Sequence, residues 1–241
     1  MIPVSLTPIP LRIAALTHER DNLFEYSTET LAKIIQEIGF HCTGCSRCCT
    51  RVFNGHVFLL DRDVSSVAEL DPDAIEPAPD PEFCDQNGIF YVSGYALRTK
   101  GDPEGSCWFL EDKKCKIYDQ RMTICRVYPY MLHREIGEDG TVDWRQFSGL
   151  DKHGDYGTII TDEECGTASR ITIEYENAFL THQIAFLEFI GVYFAEQGLR
   201  HVQKIYDDRM RGFRKGEEIT VMVYSNGELK EHRITRDGLK Q

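Results

Sequence analysis

The sequence predicts an α+β fold: a single cysteine-rich domain with helices packed around a metal site and short antiparallel hairpins. Three observations predict it. Leu31, Ile34, Ile35 and Ile38 repeat at the i, i+3, i+4, i+7 spacing of an amphipathic helix. Residues 174–197 form a longer helical pattern that is almost wholly apolar from Ile184 to Ala195. Glu138-Asp139-Gly140 and Asn226-Gly227 each sit between strand-like runs, as hairpin turns do.

Taken in order, residues 1–20 read as an extended lead-in punctuated by Pro3, Pro8 and Pro10. Ser27 is the expected N-cap of the first helix, and Gly39 suits its C-terminal stop. After the cysteine run at 42–49, Val57 to Leu60 reads as a short strand. Asp61 to Leu70 reads as a helix with Asp61 or Asp63 as its cap. Residues 71–85, with four prolines, six carboxylates and no base, read as a solvated loop. Ile89 to Arg98 suggests strand, and Ile117 to Tyr128 a short helix carrying Cys125 near its end before Pro129. Met131–Ile136 and Thr141–Phe147 then pair as a hairpin, and the 174–197 helix closes at Gly198. Ile219–Tyr224 and Glu228–Ile234 form a second hairpin. The expected division is a lead-in over 1–26, a metal-binding domain over 27–205 and a C-terminal β appendage over 206–241.

Composition narrows the functional class. A chain of 241 residues holds one large or two small domains, at roughly 150 residues each. The net charge of −12 argues against nucleic acid as the main partner, because phosphate binding needs clustered Lys and Arg. Residues 200–241 are locally basic, with ten cations against seven carboxylates, and read as a solvated face. Residues 1–16 lack a basic start and are broken by proline, so no signal peptide is expected, and no run suggests membrane insertion. A cytoplasmic location follows as the expectation, where thiols stay reduced and clustered cysteines hold metal more often than disulfides.

The chemistry is concentrated in the cysteines. Cys42, Cys45, Cys48 and Cys49 fall in a C-x2-C-x2-C-C run, followed by Cys107-x7-Cys115-x9-Cys125 and then Cys165. Thiolates are soft donors, and turns two or three residues apart let neighbouring sulfurs converge. A structural zinc ion or a [4Fe-4S] cluster takes four protein ligands, so these eight cysteines suffice for two centres. Adjacent side chains diverge, so Cys48 and Cys49 are expected to face different centres. Spacing alone does not divide Cys107, Cys115, Cys125 and Cys165 between them. Cys84 reads as an unligated thiol.

Iron–sulfur is preferred to Zn2+ because C-x2-C-x2-C matches the opening of bacterial ferredoxin ligation, although the C-x3-C-P continuation is missing. Only half of a zinc-ribbon pattern is present. Arg121 and Arg126 flank Cys125 and either offset thiolate charge around a bound cofactor or pair with the acidic surface. His41 abuts the run and is a candidate hydrogen-bond donor or zinc ligand. His133 and His153 have no ligand spacing.

These residues carry a family resemblance. Phe40-His41-Cys42-x2-Cys45-x2-Cys48-Cys49, Cys107-Trp108-Phe109-Leu110 and Tyr118-x2-Arg121-x3-Cys125-Arg126-x-Tyr128-Pro129 together resemble the YkgJ-type CxxCxxCC family of zinc- or iron-chelating domains. One branch of that family includes flagellin lysine N-methylases. The resemblance covers about residues 40–130, with Cys165 as a later ligand. It implies metal chelation by the cysteines. Where the family has proline after the arginine of its second motif, this chain has Met122, which should alter a helix start rather than a ligand.

Three functions follow as expectations. The first is a metal-binding protein with one or two iron–sulfur clusters, structural or passing electrons to an unknown protein partner. The second is a zinc-stabilised interaction module. The third is an enzyme, an iron–sulfur oxidoreductase or a protein lysine N-methylase, although no glycine-rich strand–turn–helix for a methyl donor is present. Catalytic residues are not identifiable from the sequence.

Overall fold

The structure is a computed structural model that describes residues 7–130, 133–136, 142–146, 152–235 and 238–239. Helix α1 (Ile9–Glu25) replaces the expected extended lead-in. The reason is where the prolines sit. Pro8 is the N-cap and Pro10 lies in the first turn, where a missing N–H costs nothing, so they start a helix instead of breaking one. Arg12 of α1 pairs with Glu82 and lies over the ring of Phe83, 5.2 Å from its centroid.

Helix α2 (Thr28–Ile38) has the expected ends. Ser27 Oγ accepts the Thr30 amide, and Gly39 stops the helix in the left-handed region at φ 55°. Leu31 and Ile35 are its buried stripe. A single turn, α3 (Arg51–Asn54), follows the cysteine run and leads into β1 (Val57–Leu59).

Helix α4 (Asp61–Leu70) has Leu60 at its N-cap position with no side-chain cap. The two aspartates expected to cap it are spent on tertiary contacts. Ser225 Oγ donates to Asp61 at 2.7 Å, and His182 Nδ1 lies 3.6 Å from the other oxygen. Burial opposes the charge on Asp61, but the hydrogen bonds from His182 and Ser225 outweigh it and hold the carboxyl below its ordinary range.

The 71–85 segment is more ordered than a solvated loop. It contains a 3-10 turn and the strands β2 (Ile75–Pro77) and β3 (Phe83–Cys84), and Ala74, Phe83, Cys84 and Asp85 are buried. Proline at the end of a short edge strand is compatible with pairing. Cys84 is fully enclosed, and burial pushes its thiol up to about 12.

Strands β4 (Phe90–Val92) and β5 (Tyr95–Leu97) divide between two sheets. β5 lies between β1 and β2 in one; β4 joins β3 in the other. A small ladder, β6 (Leu110–Glu111) with β7 (Lys114–Cys115), precedes α5 (Thr123–Val127). The helix expected over 117–128 is therefore split. Arg121, at φ −57° and ψ 146°, separates a 3-10 turn at Tyr118–Gln120 from α5. Strands β8 (His133–Ile136) and β9 (Val142–Gln146) pair as expected, and the turn between them lies outside the described residues.

Helix α6 (Asp162–Gln197) begins well before the expected residue 174. Its start is a capping box: Thr161 Oγ1 accepts the Glu164 amide while the Glu164 carboxylate accepts the Thr161 amide. That Thr-x-x-Glu signature was legible, but the apolar pattern strengthens only later in the helix. α1 and α2 both pack along α6, which makes it the spine of the molecule. By length and composition α6 could cross a membrane; in this fold it lies against α1, α2 and the sheets.

The C-terminal segment is not an appendage. α7 (Gln203–Arg214) spans the expected boundary, and β10 (Ile219–Ser225) pairs in parallel with β4, placing Val221 beside Phe90. β11 (Glu228–Thr235) returns antiparallel through the Asn226-Gly227 turn, and β12 (Gly238–Leu239) completes the five-stranded order β12-β11-β10-β4-β3. Burial of Ile219, Val221 and Val223 in the core shared with Phe90, Val92 and Tyr175 explains why this segment does not stand apart.

Candidate metal centre

Three chain segments meet at one pole of the fold. The first enters from α2. Beyond Gly39, the His41 amide donates to Asp155 at 2.8 Å and the Asp155 amide donates back at 3.0 Å, pinning the chain just before Cys42. Cys42 and Cys45 are exposed. Ser46 then turns through the left-handed region (φ 63°) into a 3-10 turn over Arg47–Cys49. Cys48 and Cys49 are half-buried there.

The second segment docks on the first through the backbone. The Cys107 amide donates to the Cys49 carbonyl at 2.8 Å, and the Arg51 amide donates to Gly105 at 2.9 Å. Ser46 Oγ donates to Lys113 O at 2.9 Å, which ties the β6–β7 turn to the cysteine run. Register then fixes Cys115 opposite Leu110. Trp108, beside Cys107, is oriented by donating Nε1–H to Asp71 at 2.8 Å, with Arg98 over its ring.

The third segment is α5, which carries Cys125. Its N-terminus is held from another element: Asp63 Oδ1 of α4 accepts the Thr123 amide at 3.2 Å and its hydroxyl at 3.1 Å. Asp63 is thus a cap, but of α5 rather than of its own helix. Met122 sits at φ −55°, the angle a proline would impose, and its side chain is buried. The family's proline would therefore suit this angle, and methionine adds core packing in its place.

Electrostatics record which thiols are neighbours. Burial pushes Cys107 up to about 11, and negative charge on Cys49 and Cys115 pushes the same way. Burial is also the main cause that raises Cys125, which further feels Cys107, Cys49 and Cys115. Burial raises Cys115 as well, with Cys49 adding to it. Cys48 donates its S–H to Cys49, raising its own pKa and lowering that of Cys49; Cys42 and Cys125 also bear on Cys48. Every pair among Cys49, Cys107, Cys115 and Cys125 is therefore within electrostatic reach, and Cys48 lies within reach of Cys49, Cys42 and Cys125.

Arg121 is the cation at this centre. It favours the thiolate form of Cys49, Cys115 and Cys125, while its Nε donates to Tyr118 O at 2.8 Å and its guanidinium stacks 3.7 Å from the Tyr118 ring centroid. Arg126 is exposed. Of the two arginines singled out by sequence, only Arg121 has this placement.

Cys165 is a correction. It is 2% exposed in a separate cluster with Leu23, Leu31, Ile35, Tyr130 and Leu180, and the charges that bear on it are those of Asp162 and Glu164. As a residue of the first turn of α6 it faces α2, apart from the other cysteines expected as ligands. The histidines do not join either. His41 is exposed and pairs through its backbone, and His153 packs among the rings of Phe40, Phe53 and Tyr128. The side chain of His133 lies outside the described residues.

Residues 41–148 match the CxxCxxCC family, described as a "putative zinc- or iron-chelating domain". Over that stretch the chain is similar to the CxxCxxCC family. The match takes in every cysteine except Cys165, in agreement with the packing. No curated protein and no solved structure matches the chain. The likeness supports a metal-binding protein, with zinc or iron as the ions that the family description names.

The residues present fit such a group in chemistry: a pool of soft thiols with the Arg121 cation beside them. Among the described residues no three His, Cys, Asp or Glu side chains are drawn together closely enough to hold an ion. The structure therefore supplies the ligand pool and its neighbours, and no coordination geometry is read from it.

Asp63 gives a direct test of how the pole is built. Asp63→Ala is expected to destabilise the fold by about 1–2 kcal/mol, the usual effect of removing a helix cap. It should also weaken metal retention through Cys125, read as faster loss of metal to a chelator.

Proposed function

We propose that the CxxCxxCC domain of this protein holds iron–sulfur clusters, [4Fe-4S] in type, and that they serve a structural or electron-transfer role in the cytosol. What supports the reading is that the segments bearing Cys49, Cys107, Cys115 and Cys125 meet, with the Cys107 amide on the Cys49 carbonyl and each thiol within electrostatic reach of the others. In this reading these four form one ligand set, and Cys48 joins the exposed Cys42 and Cys45 in a second.

Three features favour iron–sulfur over zinc. The donors at the pole are thiols, with no histidine joining them among the described residues. Their number exceeds what one tetrahedral ion needs. Phe109 is buried beside them, and Trp108, Ile117 and Ile124 pack on the same core, a shell that lowers solvent access. When bound, such a cluster supplies a one-electron redox couple. The chain's own contribution is positional. Arg121 offsets thiolate charge, Asp63 and Asp71 fix the elements bearing Cys125 and Cys107, and the apolar shell limits water.

The test is anaerobic purification followed by iron, acid-labile sulfide and zinc analysis with an absorption spectrum. Brown protein that contains iron and sulfide and bleaches with dithionite is the expected result. Colourless protein with stoichiometric zinc would replace this reading by the zinc-stabilised module, and metal-free protein with free thiols would end both.

A further inference from the structure

The cations of this acidic protein are not spread evenly. Residues 42–55 and 98–126, which bear the first seven cysteines of the pole, hold nine basic and five acidic side chains, a net charge of +4. The rest of the chain holds 18 basic and 34 acidic side chains, net −16. The fold brings those two segments together through the Cys107–Cys49 and Arg51–Gly105 backbone hydrogen bonds and the Ser46–Lys113 bond. Lys152 and Asp155 join at the edge of this pole, through Arg47 on the Lys152 carbonyl at 2.7 Å and the His41–Asp155 backbone pair, and leave the net charge at +4. Arg47, Arg51, Lys113, Lys114, Lys116, Arg126 and Lys152 are all exposed there.

Apolar surface stands among these charges. Val52 is 77% exposed and Tyr118 48% exposed, and both lie on the cysteine-bearing segments. Aromatic residues and arginine set in a charged rim are the usual makeup of a transient protein interface. A patch of one sign on a body of the other sign orients an approaching partner before contact.

We propose that this pole is the docking face for an acidic surface patch of a protein partner. The proposal rests on the metal-centre reading for what passes between the two, while the contact itself needs only the cations and the exposed Val52 and Tyr118. A compact acidic patch fits better than nucleic acid. The five carboxylates within the pole and the net −16 around it repel a long phosphate chain, which carries about one charge per 1.7 Å in duplex form.

The experiment uses the full-length protein purified anaerobically, with metal content measured on every sample. A fluorescent oligo-glutamate peptide is the probe for the acidic patch and a duplex RNA of equal charge is the competitor class. The peptide is expected to bind, with affinity falling as salt rises. Arg51→Glu/Lys113→Glu/Lys114→Glu is expected to weaken that binding about tenfold or more, since like charges across an interface repel. Lys204→Glu/Lys215→Glu, on the basic C-terminal segment, should leave it unchanged.

No peptide binding by metal-loaded protein, or equal loss in the two variants, would overturn the proposal. RNA binding tighter than peptide through Arg51, Lys113 and Lys114 would overturn it in favour of nucleic acid. A sample that lacks metal yet binds the peptide at this face refutes the cluster reading and leaves the docking face standing.

Discussion

Cys49→Ser is expected to remove the metal bound by Cys49, Cys107, Cys115 and Cys125, and Cys48→Ser to remove that associated with Cys42 and Cys45. The two residues are neighbours in sequence, yet they differ in what surrounds them. Cys49 is linked to the later cysteines through the Cys107 amide and through its charge on Cys107, Cys115 and Cys125, whereas Cys48 stands between Cys49 and Cys42 and reaches only Cys125 of the later three. Serine is nearly isosteric but is a poor ligand for soft metals, so each change should empty one set while the other stays filled. Cys125→Ser should reproduce Cys49→Ser. Cys165→Ser should leave metal content intact and appear only as a loss of stability of about 1–3 kcal/mol, from a hydroxyl placed in an apolar cluster. Metal and sulfide analysis of the four variants checks this. If Cys48→Ser and Cys49→Ser lose the same metal, or if Cys165→Ser loses any, the division into two sets is wrong.

Gly39→Ala is expected to cost about 2–4 kcal/mol and to loosen the metal pole as well. A left-handed residue with a Cβ costs about 1–2 kcal/mol on its own. At Gly39, φ is 55°, and an added Cβ would also overlap the Thr158 carbonyl oxygen and stand 2.7 Å from the Thr158 amide nitrogen. Both obstacles are backbone, so neither can turn aside. The contact exists because the 157–158 segment zips onto the end of α2: the Thr158 amide donates to Gly39 at 3.0 Å and the Gly157 amide to Ile38 at 2.9 Å. The same zip continues through His41 and Asp155 to the start of the cysteine run. Forcing it apart moves the entry to Cys42. Gly44→Ala is the control, since Gly44 is also left-handed (φ 68°) but has open space around it. Thermal unfolding of both, with metal retention under chelator challenge, decides the matter. Equal destabilisation in the two variants would show that backbone strain alone, and not the 157–158 contact, is at stake.

Much of the fold was legible where local physics is strong. Ser27 and Gly39 bracket α2, the Asn226-Gly227 turn sets a hairpin, and Gly198 ends α6. These signals depend on capping, turn geometry and periodicity within a few residues. Reading failed where one residue has two local meanings. Pro8 and Pro10 start a helix as readily as they break an extended segment, and Asp61 and Asp63 looked like caps of the helix they begin but are spent on Ser225, His182 and Thr123.

The candidate site divides in the same way. The sequence by itself determined the chemistry: thiols in a C-x2-C-x2-C-C run followed by Cys107, Cys115 and Cys125, enough soft donors for metal and a pattern specific to one family. Only the tertiary structure decided which of these residues are neighbours. It brought Cys107 to Cys49 through a backbone hydrogen bond, placed Arg121 rather than Arg126 beside the thiols, and put Cys165 in a hydrophobic cluster under α2. It also brought nine of the chain's 27 cations together on one pole. Spacing along a chain says which side chains are able to bind, but long-range pairing between β-bridges, caps and helix faces sets which of them meet, and that pairing leaves no trace within a local window of residues.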